Sequence, residues 1–256
     1  MKAVLLAGGL GTRMREETEF RPKPMVEIGG RPVLWHIMKV LGQQGITDFI
    51  VCAGYKSEYI KNYFYNYGAS NLDFTVRLGD QGNAVFHGSH EEFDWTVTVA
   101  DTGDSTMTGG RIKMIEKYVE GEAFFATYGD GIADVDITNL LAFHADHGKT
   151  ATLTVTNPVS RFGVVEVDES SMVSNFSEKP RAHDLVNIGY FVFEPSIFDY
   201  LTLDSVLEED PIKRLVEENQ IGAFKHDGFW KPMDTQREYL ELKAIWDSGQ
   251  APWKKW

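Results

Sequence analysis

Lys2-Ala3-Val4-Leu5-Leu6-Ala7-Gly8-Gly9-Leu10-Gly11-Thr12-Arg13 is the stretch whose reading decides the fold. Residues 2–6 form a short apolar run that stops at glycines, the pattern of a buried strand feeding a tight turn. Glycines there let the backbone approach a ligand and point N–H groups at phosphate oxygens. Arg13 and, further on, Lys23 add full positive charges suited to a triphosphate. A glycine turn with two solvated cations uses the same residues, so the turn alone does not fix the ligand. Two common phosphate motifs fit badly. No Gly-Lys-Ser/Thr follows the turn, as a P-loop requires, and the dinucleotide fingerprint lacks its last glycine because Met14 stands there.

Outward from this stretch, strand and helix signals alternate. Residues 32–44 read as a helix, with Pro32 suited to its first turn, Leu34, Ile37, Met38 and Leu41 on one face, and Gly45 able to end it. Residues 49–53 are a second apolar run containing Cys52, and residues 57–67 are again helical, with Ser57 as candidate N-cap. Strand candidates follow at 74–78, 96–99 and 123–128, then a helix at 136–147 and a strand at 151–156. This β-α-β rhythm predicts an α/β, Rossmann-like, mostly parallel mixed sheet with helices on both faces. After Pro158 the strand-like segments 162–167, 172–176 and 186–193 lie too close for crossover helices, which predicts a small antiparallel excursion. Helical stretches at 210–218 and 235–246 form a C-terminal elaboration. The aromatic and basic end, residues 251–256, is expected to pack on the body or on a neighbouring subunit. With no repeat or linker, residues 1–256 read as one domain, in two parts of roughly 1–135 and 136–256.

Composition narrows the class. The 256 residues suffice for a sizeable core, and 43% hydrophobic content with 25% charged is that of a globular protein. No apolar run approaches the ~18 residues of a membrane span, and the N-terminal run is too short for a signal peptide, which together favour a cytoplasmic protein with no membrane partner. One cysteine makes neither an internal disulfide nor a Cys-based zinc site. A net charge of −13 argues against nucleic acid as partner, so an anionic substrate needs local cations or a metal ion.

Several motifs recur in an order that resembles the sugar-1-phosphate nucleotidyltransferase family. They are Gly8-Gly9-Leu10-Gly11-Thr12-Arg13 with Arg21-Pro22-Lys23-Pro24-Met25, then Pro32-Val33-Leu34-Trp35-His36-Ile37-Met38, and Thr127-Tyr128-Gly129-Asp130-Gly131. Later come Arg161-Phe162-Gly163-Val164-Val165, Glu178-Lys179-Pro180 and Phe229-Trp230-Lys231-Pro232-Met233-Asp234-Thr235. The segment from Asp101-Thr102-Gly103-Asp104 to Thr108-Gly109-Gly110-Arg111 is the more specific one and is similar to the branch of glucose-1-phosphate cytidylyltransferases.

The resemblance implies that CTP and α-D-glucose 1-phosphate are the substrates and CDP-glucose and pyrophosphate the products. Leu6, Ala7, Gly8, Gly9, Gly11, Thr12 and Arg13 would hold the nucleotide, Lys23 would sit at the reacting phosphates, and Lys179 would neutralise the sugar phosphate; Arg13, Lys23 and Lys179 are the catalytic candidates. Asp104, Thr106 and Arg111 would form the nucleotide-selecting loop, and Gly129 would also bind the nucleotide. Gly163, Glu178, Lys179, Asn187 and Gly189 would line the sugar pocket. Asp130 and Asp234 are the candidates for Mg²⁺, although Gly-Asp-Gly is also turn chemistry and Asp234 also precedes a helix it could cap. The resemblance further implies a homo-oligomer, often a hexamer in relatives. Relatives that take UTP or dTTP carry Gln-x-x-Pro-x-Gly-Leu, whereas this chain reads Gln81-Gly82-Asn83-Ala84, which points away from those nucleotides.

Competing readings are a uridylyl- or thymidylyltransferase, a catalytically silent nucleotide-sugar sensor on the same fold, and a dinucleotide oxidoreductase suggested only by the glycine turn. The pairs His87/His90 and His144/His147 lack the carboxylate pattern of a metalloenzyme, and Cys52 reads as a buried small hydrophobe.

Overall fold

The computed structural model describes residues 1–160 and 162–256; Arg161, quoted above in a motif, lies outside them. The central sheet is built from Lys2–Ala7 (β1), Asp48–Ala53 (β2), Thr96–Asp101 (β3), Phe124–Tyr128 (β4), Ala151–Thr156 (β5), Val186–Phe193 (β6) and Ile221–Lys225 (β7). Their spatial order is β7-β5-β6-β4-β1-β2-β3. Strand β1 is parallel to both β2 and β4, β2 to β3, and β5 to β7, while β6 runs antiparallel between β4 and β5. The longer helices are Val33–Gly42 (α1), Ser57–Tyr65 (α2), Thr108–Met114 (α3), Ile137–His147 (α4), Asp210–Glu217 (α5) and Gln236–Asp247 (α6).

Parallel neighbours require crossovers, and helices on both faces bury both sides of the sheet. Strand β1 shows it: Ala3, Leu5 and Ala7 point into one apolar cluster, Val4 and Leu6 into the other. Helix α1 is buried along Val33–Leu41, as a helix apolar on most of its circumference must be. The C-terminal segment packs on the body. Trp253 is fully buried, and its indole N–H points to His36 Nδ1 at 3.5 Å while His36 Nε2 donates to Ile28 O at 2.8 Å. Burial pushes the His36 imidazole down to about 4, and the nearby Arg31 and Lys254 charges act in the same direction, against the hydrogen bond to Ile28.

Some expectations shift. The segment 74–78 is a strand, Asp73–Arg77, but it stands outside the main sheet. Two residues, Leu78 and Gly79, connect it to Asp80–His87, too few for anything except an antiparallel hairpin. The antiparallel excursion divides. Val164–Val167 and Val173–Ser177 form an exposed ribbon by themselves, whereas β6, buried over Ile188–Phe193, enters the main sheet. Ser57 is not the N-cap of α2; Lys56 holds that position with a left-handed φ of 52°, and Ser57 Oγ donates to Asp101 instead, at 3.2 Å. No helix among the described residues is long and apolar enough to cross a membrane.

The strand order reverses between β1 and β4, because β2 and β3 lie on one side of β1 and β4 on the other. Loops leaving neighbouring strands there diverge to opposite faces and open a crevice at the carboxyl edge, where α/β sheets hold ligands. The register aligns Ala7 with Ala53, Ala53 with Asp101, and Leu6 with Tyr128, so three loops and the glycine turn leave from one line. Because β6 is antiparallel, its first residues, Val186 and Asn187, start at this same edge opposite Thr156 and Val155.

The depressed His36 gives a pH prediction. The folded imidazole stays neutral while the unfolded one takes a proton near 6.5, so this stabilisation is present above that pH. It is lost as pH falls from 6.5 through 4, to an extent on the order of 3 kcal/mol. The urea midpoint of the protein is expected to fall between pH 7 and pH 5 more steeply than that of His36→Gln. Equal slopes would assign the acid sensitivity to other groups.

Candidate active site

Gly131–Ala133 pairs antiparallel with Trp230–Pro232, Pro232 opposite Gly131, and Met233 N donates to Asp130 O at 2.9 Å. This short ribbon brings Asp130 and Asp234 together. At Asp234 the chain has a choice, since it lies just before a helix. Thr235 takes the N-cap of α6 in a capping box with Glu238, which leaves the Asp234 carboxylate facing the crevice. Lys23 Nζ lies 2.6 Å from Asp130 Oδ2 and 2.5 Å from Asp234 Oδ1, across 107 and 211 residues of chain. Arg13 Nη2 is 3.1 Å from the same Asp234 oxygen. Burial works to lower the Lys23 pKa, but the two carboxylates outweigh it and hold the ammonium above its ordinary value. Two oxygens from different carboxylates converging on one cationic point suit a hard divalent cation such as Mg²⁺. Among the described residues no cluster of three or more His, Cys, Asp or Glu side chains could hold a metal, so substrate oxygens and water would complete the shell.

A cavity of about 620 Å³ opens over this cluster. Its walls include Leu6, Gly9, Gly11, Thr12, Arg13 and Lys23 of the expected nucleotide site, Asp104 and Thr106 from the loop after β3, and Arg111 from α3. Asp234, from the C-terminal part, also lines it, so the division near residue 135 does not separate the two parts of the site. Ala7, Gly8 and Gly129 stand behind the wall. Gly129 N donates to Leu6 O at 2.9 Å, fastening β4 to β1 at the rim.

Arg111 is buried beneath the cavity rather than projecting across it. Its guanidinium donates to Gly103 O and Thr102 Oγ1 at 2.7 Å, to Gly8 O at 3.0 Å and to Asp104 O at 3.3 Å. It thus ties the glycine turn after β1 to the loop after β3. Gly8 must be glycine here, since a Cβ would sit 2.0 Å from Arg111 Nη1. The residues before Arg111 are explained by the segment 203–208. A Cβ at Gly110 would meet Leu203 O at 2.1 Å, Thr108 Oγ1 donates to Glu208 at 2.7 Å, and Leu207 N donates to Thr108 Oγ1 at 3.0 Å. Glu208 also accepts from the Tyr128 hydroxyl, and burial with this carboxylate pushes the Tyr128 pKa up. Glu208 was not among the expected site residues; an acidic run before a helix gives no signal that one member turns back to the end of β4.

A second cavity, about 650 Å³, shares the 230–235 segment: Asp234 lines the first and Thr235 the second. Lys179 and Asn187 lie on its wall, joined by Arg181, which the sequence reading missed. Lys231 and Arg237 also face it but are bound to Glu241 at 2.5 and 2.8 Å. Among the described residues Lys179 is one of five non-glycine residues at positive φ, 49°, a strained conformation of the kind found at ligand sites. The other three expected sugar-site residues stand elsewhere. Gly163 and Glu178 lie on the ribbon outside the cavity wall, Gly163 packed on Phe176, and Gly189 is buried under the Tyr128 ring. Cys52 is fully buried, its thiol pushed up to about 12 by burial, with no part in either cavity.

A glycine turn at the switch point, the buried Lys23 and two convergent carboxylates suit an enzyme that handles a nucleotide polyphosphate. The sequence model of the nucleotidyl transferase family matches residues 2–245, and the chain belongs to that family. It is 49% identical over 259 residues to the glucose-1-phosphate cytidylyltransferase of Salmonella typhi, covering all of both chains. Among solved structures it is similar to HddC from Yersinia pseudotuberculosis, with a TM-score of 0.68 at 23% identity over 96% of this chain and 99% of that one. A UTP-bound UGPase from Acinetobacter baumannii superposes with a TM-score of 0.68 at 19% identity over 96% and 92%.

The glycine turn yields a paired test. A Cβ at Gly9 meets nothing within 4 Å, unlike one at Gly8. Gly8→Ala is expected to lower the unfolding free energy by about 1–3 kcal/mol through overpacking, and Gly9→Ala to change it by less than about 0.5 kcal/mol. Urea denaturation of both variants checks this, and equal losses would show that Arg111 does not press on Gly8.

Proposed function

We propose that this protein is a glucose-1-phosphate cytidylyltransferase, converting CTP and α-D-glucose 1-phosphate to CDP-glucose and pyrophosphate. The observation that carries the reading is the convergence of Asp130, Asp234, Lys23 and Arg13 on the wall of the cavity at the glycine turn, with the cavity beside Lys179 starting at Thr235, the residue after Asp234. The choice of CTP and glucose 1-phosphate rests on the full-length relative at 49% identity.

The chemistry asks little proton transfer of the protein. A sugar-phosphate oxygen attacks the α-phosphorus of CTP in line, a new P–O bond forms, and the bond to the β-phosphate bridging oxygen breaks with its electron pair leaving on pyrophosphate. The demands are alignment of two anions and neutralisation of the charge on the leaving group. The backbone of residues 8–12 and Arg13 hold the β- and γ-phosphates. Lys23 is placed to follow the reacting phosphates, and Lys179 and Arg181 hold the sugar phosphate in the second cavity. Asn187, at the start of the antiparallel strand, is the side chain available for a sugar hydroxyl. Arg111 acts on the nucleotide by fixing the two loops that enclose it, and Asp104 and Thr106 present the loop that selects the base. Asp130 and Asp234 are the residues that would hold Mg²⁺, which when bound supplies charge neutralisation to the triphosphate. The same reading carries homo-oligomeric assembly, supported by the apolar Val165, Val167, Val173 and Phe176 exposed on the ribbon, and a soluble cytoplasmic setting.

Pyrophosphate release with glucose 1-phosphate and Mg²⁺, run in parallel with CTP, UTP, dTTP, ATP and GTP, tests the reading. At least ~10-fold preference for CTP in kcat/KM is expected, about 1.4 kcal/mol of discrimination. Preference for UTP or dTTP would overturn the account of base selection, and no release with any nucleotide would overturn the assigned reaction.

A further inference from the structure

The side chain that bridges the two metal-candidate carboxylates is itself a cation. Lys23 Nζ sits 2.6 Å from one oxygen of Asp130 and 2.5 Å from one oxygen of Asp234, close to the point a shared metal ion would take. A magnesium ion binds such oxygens at about 2.0–2.1 Å, so the ammonium and the ion exclude each other from the position between them. Lys23 does not swing loosely into this place. It is 8% exposed and begins the tight turn Lys23–Met25, fixed by Pro22 before it and Pro24 within it. Arg13 adds a second cation on Asp234. The two carboxylates therefore face the buried Lys23 ammonium and, on Asp234, the exposed Arg13 guanidinium.

We infer that Lys23 gates the metal site: it occupies the Asp130–Asp234 bridge in the nucleotide-free protein and yields it when a polyphosphate gives the ammonium a new partner. The inference rests on the assignment of Asp130 and Asp234 as metal ligands made above. A divalent cation arriving alone has to expel a buried ammonium with no anion to receive it. One arriving with a nucleotide does not, because the phosphate oxygens that help bind the ion also accept the Lys23 charge. Metal and nucleotide then enter together, and by linkage each raises the affinity for the other by the same factor. The exchange also delivers Lys23 to the reacting phosphates at the moment the metal takes its former place, so one displacement assembles both parts of the site.

Any nucleotide improves metal binding by contributing oxygens, so the decisive measurement is made without nucleotide. Mn²⁺ is titrated into the protein alone and followed by the paramagnetic resonance signal of the free ion. Lys23→Met is expected to bind Mn²⁺ at least ~10-fold more tightly than the unmodified protein, and Lys23→Gln to do the same should the methionine variant not fold. Lys23→Arg keeps the charge and is expected to stay as weak as the unmodified protein. Mn²⁺ alone should also raise the melting temperature of the neutral variants and not of the other two. Unchanged nucleotide-free affinity in the neutral variants, together with Mn²⁺ binding by the unmodified protein in the presence of the α,β-methylene analogue of CTP, would overturn the gate while leaving the metal site intact. Undiminished Mn²⁺ binding by Asp130→Asn and Asp234→Asn with that analogue would instead overturn the ligand assignment itself.

Discussion

The site depends on one electrostatic junction, the Lys23 ammonium held between Asp130 and Asp234. None of the three is near another in sequence, and each arrives by a separate structural device. Lys23 is fixed by a proline-bounded turn, Asp130 follows the strand on the far side of the switch point, and Asp234 is delivered by a three-residue strand paired to the chain just after Asp130. Buried charges of one sign would be costly there, and the mutual pairing is what allows the carboxylates to approach. All three line the first cavity, and the second begins one residue on, at Thr235.

Arg111 is the second constraint. The glycine turn and the loop after β3 are held at a fixed separation, yet these leave from β1 and β3 with β2 between them. A buried guanidinium with donors in several directions spans that distance, and a lysine could not. The small residues before Arg111 let the segment 203–208 approach α3 closely, and Glu208 links that segment to Tyr128 at the end of β4. The Thr108–Arg111 segment is thus largely a packing device whose consequence is loop placement.

Much of this was legible in the residues. The apolar run closed by glycines became an interior strand of the main sheet, the helices at α1, α4 and α6 formed within a few residues of their expected limits, and Asp136 and Thr235 cap as short polar side chains do. What could not be read was long-range pairing without local signal. Trp230–Pro232 has only three residues and no periodicity, so nothing in it announces its partner at Gly131–Ala133. Asp80–His87 was hidden because Gly79 and Gly82 suggest a loop, when the first of them belongs to the hairpin turn. Gly163 and Gly189 looked like openings for a sugar ring, but Phe176 and Tyr128 fill the space beside them. A glycine signals close approach without saying which group approaches.

The most direct test of the central junction is a crystal structure of the protein with Mn²⁺ and the α,β-methylene analogue of CTP, with the metal located by its anomalous scattering. The account predicts one strong peak between Asp130 and Asp234, with Lys23 Nζ withdrawn from both and in contact with a phosphate oxygen. A peak at any other position, or Lys23 still bridging the two carboxylates beside the bound nucleotide, would contradict it.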